Sequence, residues 1–178
     1  YPDRIVVGSE HEPSIERLKE LFGPIIRQDF DAPACLPRPA GLAEVPLLVC
    51  DLTSAEMIKY AANSFLALKI SFINEVAHLA QKVGADVSAI AKGIGLDKRI
   101  GDRILNAGIG WGSSCFGKDT AALVATAKDY NLDMPIIRSA RDVNYAQRTW
   151  VVDRLQDELK ILKGKHIALL GFSFKPNT

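Results

Sequence analysis

Between Asp51 and Gly84 the chain carries neither glycine nor proline. At the start of that stretch, Thr53-Ser-Ala-Glu56 reads as a capping box. A hydroxyl there holds a free backbone N–H, and a carboxylate three residues on returns the bond. The pattern predicts one helix of about 30 residues, roughly 45 Å long at 1.5 Å per residue. Its apolar residues include Met57, Ile58, Phe65, Leu66, Leu68, Ile70, Phe72, Ile73, Val76 and Leu79. They spread around most of the helix instead of forming one stripe, so the helix must be covered on more than one side. In a chain of 178 residues this implies a mainly α domain built around one long helix, with a subunit interface along it.

The second constraint is Gly108-Ile-Gly-Trp-Gly-Ser-Ser-Cys115-Phe-Gly-Lys118-Asp119. A Gly/Ser loop feeding a helix makes an anion cradle. Glycine lets backbone N–H groups approach a ligand, and the helix N-terminus carries partial positive charge. A cysteine at that junction is placed to react as its thiolate, beside Lys118 and the helix dipole. Asp119 lies four residues after Cys115, so a helix that begins near the cysteine puts both on one face. Lys59 and Asn63 have the same spacing on the long helix.

The remaining elements are shorter. Residues 4–8 read as a buried strand and Pro13–Phe22 as a helix ended by Gly23, with a second strand at Ile25–Arg27. Residues 29–46 hold five prolines or glycines and read as a loop, in which Cys35 is an ordinary loop cysteine. Asp86 caps a short helix to about Lys92, broken by Gly93 and Gly95. Asp97–Arg103 reads as a solvated charged surface, and Asn74 and Glu75 as structural. A helix follows the glycine loop to about Tyr130, and another runs from Pro135 to about Lys160. Lys165–Phe172 reads as a buried strand of the parallel type.

The net charge of +1 gives no reason to expect a nucleic acid or a membrane surface as partner. No apolar run is long enough to span a bilayer. Cys35, Cys50 and Cys115 make no disulfide framework, and a reducing cytoplasm is the simplest setting. No zinc-type spacing appears, and His11, His78 and His166 are scattered, so no metal site and no Cys–His dyad is expected. Both ends read as internal to a longer polypeptide.

Three motifs resemble the UDP-glucose/GDP-mannose dehydrogenase family: Asp51 through Glu75, Arg99 through Asp119, and Leu169-Leu-Gly-Phe-Ser-Phe174-Lys175. With Pro2–Gly8 they cover nearly the whole chain in family order. The resemblance implies a helical dimerisation domain with a long central helix, flanked by pieces of two Rossmann-like α/β domains. Residues 1–50 would be the tail of an NAD-binding domain and a linker. Residues 51–162 would be the central helical domain, and 163–178 the start of a UDP-binding domain. The implied chemistry is a cytoplasmic, NAD-dependent double oxidation of a UDP-sugar, for which Phe116 favours UDP-glucose, feeding polysaccharide biosynthesis. Cys115 would form a thiohemiacetal and then a thioester. Lys59 and Asn63 would bind substrate and stabilise oxyanions, and Asp119 would handle water and the alcohol. Lys118 would contact the cofactor pyrophosphate. The sugar nucleotide pocket would use Ile104, Asn106, Gly112, Phe174 and Lys175, with Arg99 reaching the substrate of the neighbouring subunit in a homodimer. The family's glycine fingerprint for NAD and its upstream glutamate do not occur in this chain.

Three other readings stand beside this one. UDP-N-acetylmannosamine or GDP-mannose would suit a related dehydrogenase, and the isolated chain would serve as a dimerisation module without turnover. An unrelated thiol acyl-transfer enzyme would need a histidine near Cys115, and His78 is the only candidate in the helical region.

Overall fold

A computed structural model describes residues 1–112 and 114–170. The elements run β1 (Ile5–Gly8), α1 (Glu12–Arg27), β2 (Leu47–Cys50), α2 (Leu52–Val83), α3 (Val87–Gly95), α4 (Ser114–Asp129) and α5 (Pro135–Leu159). The fold is mainly α, as the long apolar stretch implies. The chain forms two compact units, one Tyr1–Lys59 and the other from Tyr60 onward.

In the first unit β1 and β2 pair in parallel, Ile5 opposite Leu47 and Gly8 opposite Cys50. Parallel neighbours need a crossover, and α1 supplies it. Val7, Ile15 and Val45 are the buried apolar residues of this unit. A Cβ on Gly8 would lie 2.7 Å from Ala55 Cβ, so only glycine lets the strand end meet the start of α2.

α1 overturns two expectations. It does not end before Gly23, and Ile25–Arg27 is its last turn, not a strand. Ile15, Leu18, Phe22 and Ile26 recur at helical spacing across Gly23-Pro24, and the covered face they form outweighs the one N–H that proline lacks. Gln28 closes the helix at φ +57°, its N–H donating to Pro24 O. Ile26 O then accepts from Val45 N at 2.9 Å, which brings the chain back toward β2.

α2 is 32 residues long. Its cap is Asp51, not Thr53: Asp51 Oδ1 accepts from Ser54 N at 2.8 Å, and the helix starts two residues earlier than the capping box implies. Aspartate caps as well as a hydroxyl does, and the upstream one wins because it adds two residues to the helix. Gly84, at φ +75°, ends the helix, and Ala85 N donates to Ala80 O at 2.8 Å in a Schellman closure.

One side of α2 is buried through Ser64, Ala67, Ser71, Ile73, Asn74 and Ala80. Most of these are small, so backbones come close. Ser71 Oγ donates to Ala140 O of α5 at 2.6 Å. Ile73 is fully buried, worth about 1.5–3 kcal/mol. Phe65, Phe72 and Leu79 remain exposed.

α3 starts at the Asp86 cap as expected, with Ser88 N donating to Oδ1 at 2.8 Å. It passes Gly93 and ends at Gly95, because Ile90 and Ile94 continue its covered face. Gly95 is needed where it stands: a Cβ there would lie 2.9 Å from Asp102 Cα. Residues 165–170 form no strand, and Leu170 is almost fully exposed. A strand exists only with a neighbour to bond, and β1–β2 is the one ladder among the described residues. Gly171 and Phe172, the rest of that expected strand, lie outside the described residues. No helix among these residues is long and apolar enough to cross a membrane.

Candidate active site

α4 begins at Ser114, so Cys115 sits in its first turn, where backbone N–H groups have no partner inside the helix. Cys115 is exposed, and Ser114 Oγ lies 4.0 Å from its Sγ. Asp119 follows one turn later on the same face and is 2% exposed. Asn63 Nδ2 of α2 donates to Asp119 Oδ2 at 2.6 Å. A carboxamide nitrogen has two hydrogens, so this bond leaves Asn63 one donor for another oxygen. The arrangement sets an exposed thiol above an amide–carboxylate pair. Such a set can add a sulfur to a carbonyl, stabilise the resulting oxyanion and orient a water.

Lys59 is exposed on α2, one turn before Asn63. Lys118 is exposed on the first turn of α4, where its charge and the helix N-terminus both favour an anion. No group of three metal-ligating side chains occurs among the described residues.

The loop before α4 is fastened by side chains that its own sequence does not show. Gly108 N donates to Asn74 Oδ1 at 2.8 Å, and Gly108 O accepts from Gln147 Nε2 at 2.7 Å. Trp111 N donates to Asn144 Oδ1 at 2.7 Å, and Asn144 Nδ2 donates back to Trp111 O at 2.9 Å. The Trp111 indole Nε1 donates to Ser71 Oγ at 2.9 Å. Arg141 Nη1 donates to Gly117 O at 2.9 Å and to Thr120 Oγ1 at 2.6 Å, and Thr120 Oγ1 donates to Phe116 O at 2.6 Å. Ser71 and Asn74 are one turn apart on α2; Arg141, Asn144 and Gln147 are successive turns of α5.

Ser71, Arg141, Asn144 and Gln147 escape a reading of the sequence, and Asn74, read there as structural, is the loop's anchor. The available signal was Asn144, a weak helix former placed inside a helix, whereas Gln147, a good helix former, carries none.

Among the described residues no hydrogen bond joins the expected sugar-nucleotide residues to one another. Arg99 is exposed and held by Asp97 at 2.6 Å. The hydrogen bonds from the Arg99 side chain, then from its backbone, hold the Asp97 carboxyl below its usual range. So the stretch is a charged surface exposed to solvent, as read, with Asp97 and Arg99 paired on it. Ile104 is half-buried at φ +63°, a conformation β-branched residues rarely adopt. Leu105, 3% exposed, anchors the segment. Asn106 lines a cavity of about 460 Å³ with Ser88, Lys92 and Asp102. Gly112 is exposed, with open space where a Cβ would stand. Among the described residues no hydrogen bond joins this group to Cys115 or Asp119. Phe174 and Lys175 lie outside the described residues.

Comparison with known proteins matches residues 53–146 to the central domain of the UDP-glucose/GDP-mannose dehydrogenase family. The chain is 47% identical over 178 residues to the UDP-glucose 6-dehydrogenase YwqF of Bacillus subtilis, covering 100% of this chain and 36% of that protein. It is 40% identical over 177 residues to the UDP-glucose 6-dehydrogenase AglM of Haloferax volcanii, covering 99% of this chain and 38% of that protein. The chain therefore spans a little over a third of these relatives. Among solved structures, a UDP-glucose dehydrogenase from Pyrobaculum islandicum superposes with a TM-score of 0.79 at 37% identity, over 93% of this chain and 34% of that one. An NDP-N-acetyl-D-galactosaminuronic acid dehydrogenase from Methanosarcina mazei gives 0.65 at 26% identity, over 89% and 32%. On the match of 53–146, the chain belongs to the UDP-glucose/GDP-mannose dehydrogenase family.

Proposed function

We propose that the protein carrying this chain is an NAD-dependent UDP-glucose 6-dehydrogenase that makes UDP-glucuronate, a polysaccharide precursor, in the cytoplasm. The observation that carries the reading is the Asn63–Asp119 hydrogen bond, one turn from an exposed cysteine at a helix N-terminus. Residues 1–50 are the tail of the NAD-binding domain and a linker, 51–162 the helical domain, and 163–178 the start of the UDP-binding domain.

NAD, when bound, accepts the hydride lost at each of two oxidations. Lys118 would contact its pyrophosphate, since an exposed lysine near a helix N-terminus fits that anion. Arg99, Ile104, Asn106 and Gly112, with Phe174 and Lys175, hold the sugar nucleotide, Arg99 acting on the substrate of a neighbouring subunit. In the first oxidation the C6 alcohol loses its proton through water held by Asp119, and its hydride, to become an aldehyde. The Cys115 sulfur then adds to C6. The new C–S bond gives a thiohemiacetal whose oxygen is stabilised by Lys59 and Asn63. Loss of the second hydride and of the hydroxyl proton leaves a thioester. Water, oriented by Asp119, adds to it. The C–S bond breaks, the carboxylate leaves and the thiol is restored.

The test is NADH formed per UDP-glucose consumed by the full-length protein. Two are expected. One would mean that the reaction stops at the aldehyde. None, with turnover of GDP-mannose or an N-acetylated UDP-sugar, would move the substrate and leave the thiol chemistry.

The partner is a second copy, seated along α2. Phe65, Phe72 and Leu79 are spaced by seven residues and all exposed, a seam with the period of helix-to-helix packing. Phe72→Glu is expected to convert the full-length dimer to monomer in sedimentation. An unchanged dimer would place the interface elsewhere.

A further inference from the structure

We propose that Asn144 is a positioning residue for the reaction at Cys115: it fixes the Trp111 peptide, and Trp111 fixes the first turn of α4 through Phe116. The proposal rests on the thiol mechanism above and names a residue that never touches the substrate.

Asn144 is 4% exposed and spends both atoms of its carboxamide on one residue of the loop. Its neighbours in the clamp do less. Asn74 and Gln147 each hold Gly108 through one atom, and Asn74 Nδ2 and Gln147 Oε1 have no partner among the described residues. The loop is also shaped to admit Asn144. Gly110 stands at φ +106°, and a Cβ there would fall on Asn144 Oδ1. The two bonds grip the successive peptide units on either side of Trp111 Cα and so set the position and tilt of that residue, whereas a single bond leaves a pivot.

From Trp111 the constraint passes forward. Its indole is tied to Ser71 on one side and meets the Phe116 ring edge-on, centroids 6.1 Å apart at 85°. Phe116 is the residue after Cys115. The other side of the same turn is held by Arg141 through Gly117 O and Thr120. Arg141 and Asn144 are one turn apart on α5, so a single helix face sets both the loop and the first turn of the helix that carries the thiol. Thiol addition needs the sulfur within reach of C6 along one direction, and a displacement of about 1 Å costs on the order of 10²-fold in rate.

The test uses the full-length protein with Asn144→Ala, Asn144→Asp and the exposed neighbour Thr149→Ala. Asn144→Asp retains the acceptor for Trp111 N–H but sets a buried carboxylate oxygen against Trp111 O, which repels it. Both Asn144 variants are expected to lower kcat for NADH formation by about 10²-fold. KM for UDP-glucose should hold, because no substrate contact is lost. Iodoacetamide labelling of Cys115 without substrate should change severalfold in both and match wild type in Thr149→Ala. Wild-type kcat in either folded variant, or a loss confined to KM, overturns the proposal. Should the wild type oxidise no nucleotide-sugar, the functional reading fails instead, and the labelling rate alone decides whether Asn144 positions the thiol.

Discussion

Replacing Cys115 with alanine in the full-length protein is expected to lower complete oxidation of UDP-glucose by about 10⁴-fold or more, the scale seen when a covalent nucleophile is removed. The loss should be confined to the steps after the aldehyde has formed. Hydride loss from the C6 alcohol needs no sulfur, and the Asn63–Asp119 pair at 2.6 Å is untouched by the substitution. A stopped-flow trace should therefore show at most one NADH per site and then stall. Cys115→Ser should also stall, since an alkoxide is a poorer leaving group than a thiolate. Mass spectrometry of acid-quenched samples should show an adduct on the Cys115 peptide of the wild type, a trapped ester on the same peptide of Cys115→Ser, and neither in Cys115→Ala. Cys35 is exposed in the first unit, and Cys35→Ala should turn over as wild type does. Two NADH per sugar from Cys115→Ala at an unimpaired rate would end the covalent mechanism.

Gly110→Ala should be the most damaging single-methyl change in the glycine loop. Gly110 sits at φ +106°, where a side chain costs about 1–3 kcal/mol. The added Cβ also falls on Asn144 Oδ1, so at least one of the two Asn144–Trp111 bonds must break, at about 1 kcal/mol. The expected cost is about 2–4 kcal/mol in stability. Gly108 is the internal control, with nothing within 4 Å of a Cβ. Gly108→Ala should stay within about 0.5 kcal/mol of wild type. Denaturant unfolding of the two variants measures the difference. Equal stabilities would mean that Asn144 does not press against Gly110 in solution.

The two variants differ for a reason that no sequence pattern contains. The loop reads as glycine-rich whichever glycine is chosen, and a thiol at a loop–helix junction is legible with it. Which glycine is indispensable depends on Asn144, which arrives from 33 residues beyond Trp111. Caps and breakers located α2, α4 and α5 well, because the stretch without Gly or Pro, the glycine loop and Pro135 are all local signals. The sequence misled at α1, where Gly23 looked like a terminator and the continuing face of Ile15, Leu18, Phe22 and Ile26 was the stronger influence. It also misled toward a strand at Lys165–Phe172, since a run of apolar residues states that burial is wanted and not which neighbour provides it.

The long helix, the nucleophile loop, the i, i+4 spacing of Cys115 to Asp119 and the family motifs come from the order of residues alone, because each is local or repeats at a helical period. The bond from Asn63 to Asp119 and the clamp of Ser71, Asn74, Arg141, Asn144 and Gln147 do not. A polar side chain on a helix satisfies its hydrogen bonds as well with water as with a distant peptide. Only the fold, which ties Ser71 of α2 to Ala140 O of α5 and buries Asn74, Asn144 and Gln147, excludes the water and leaves the loop as the partner.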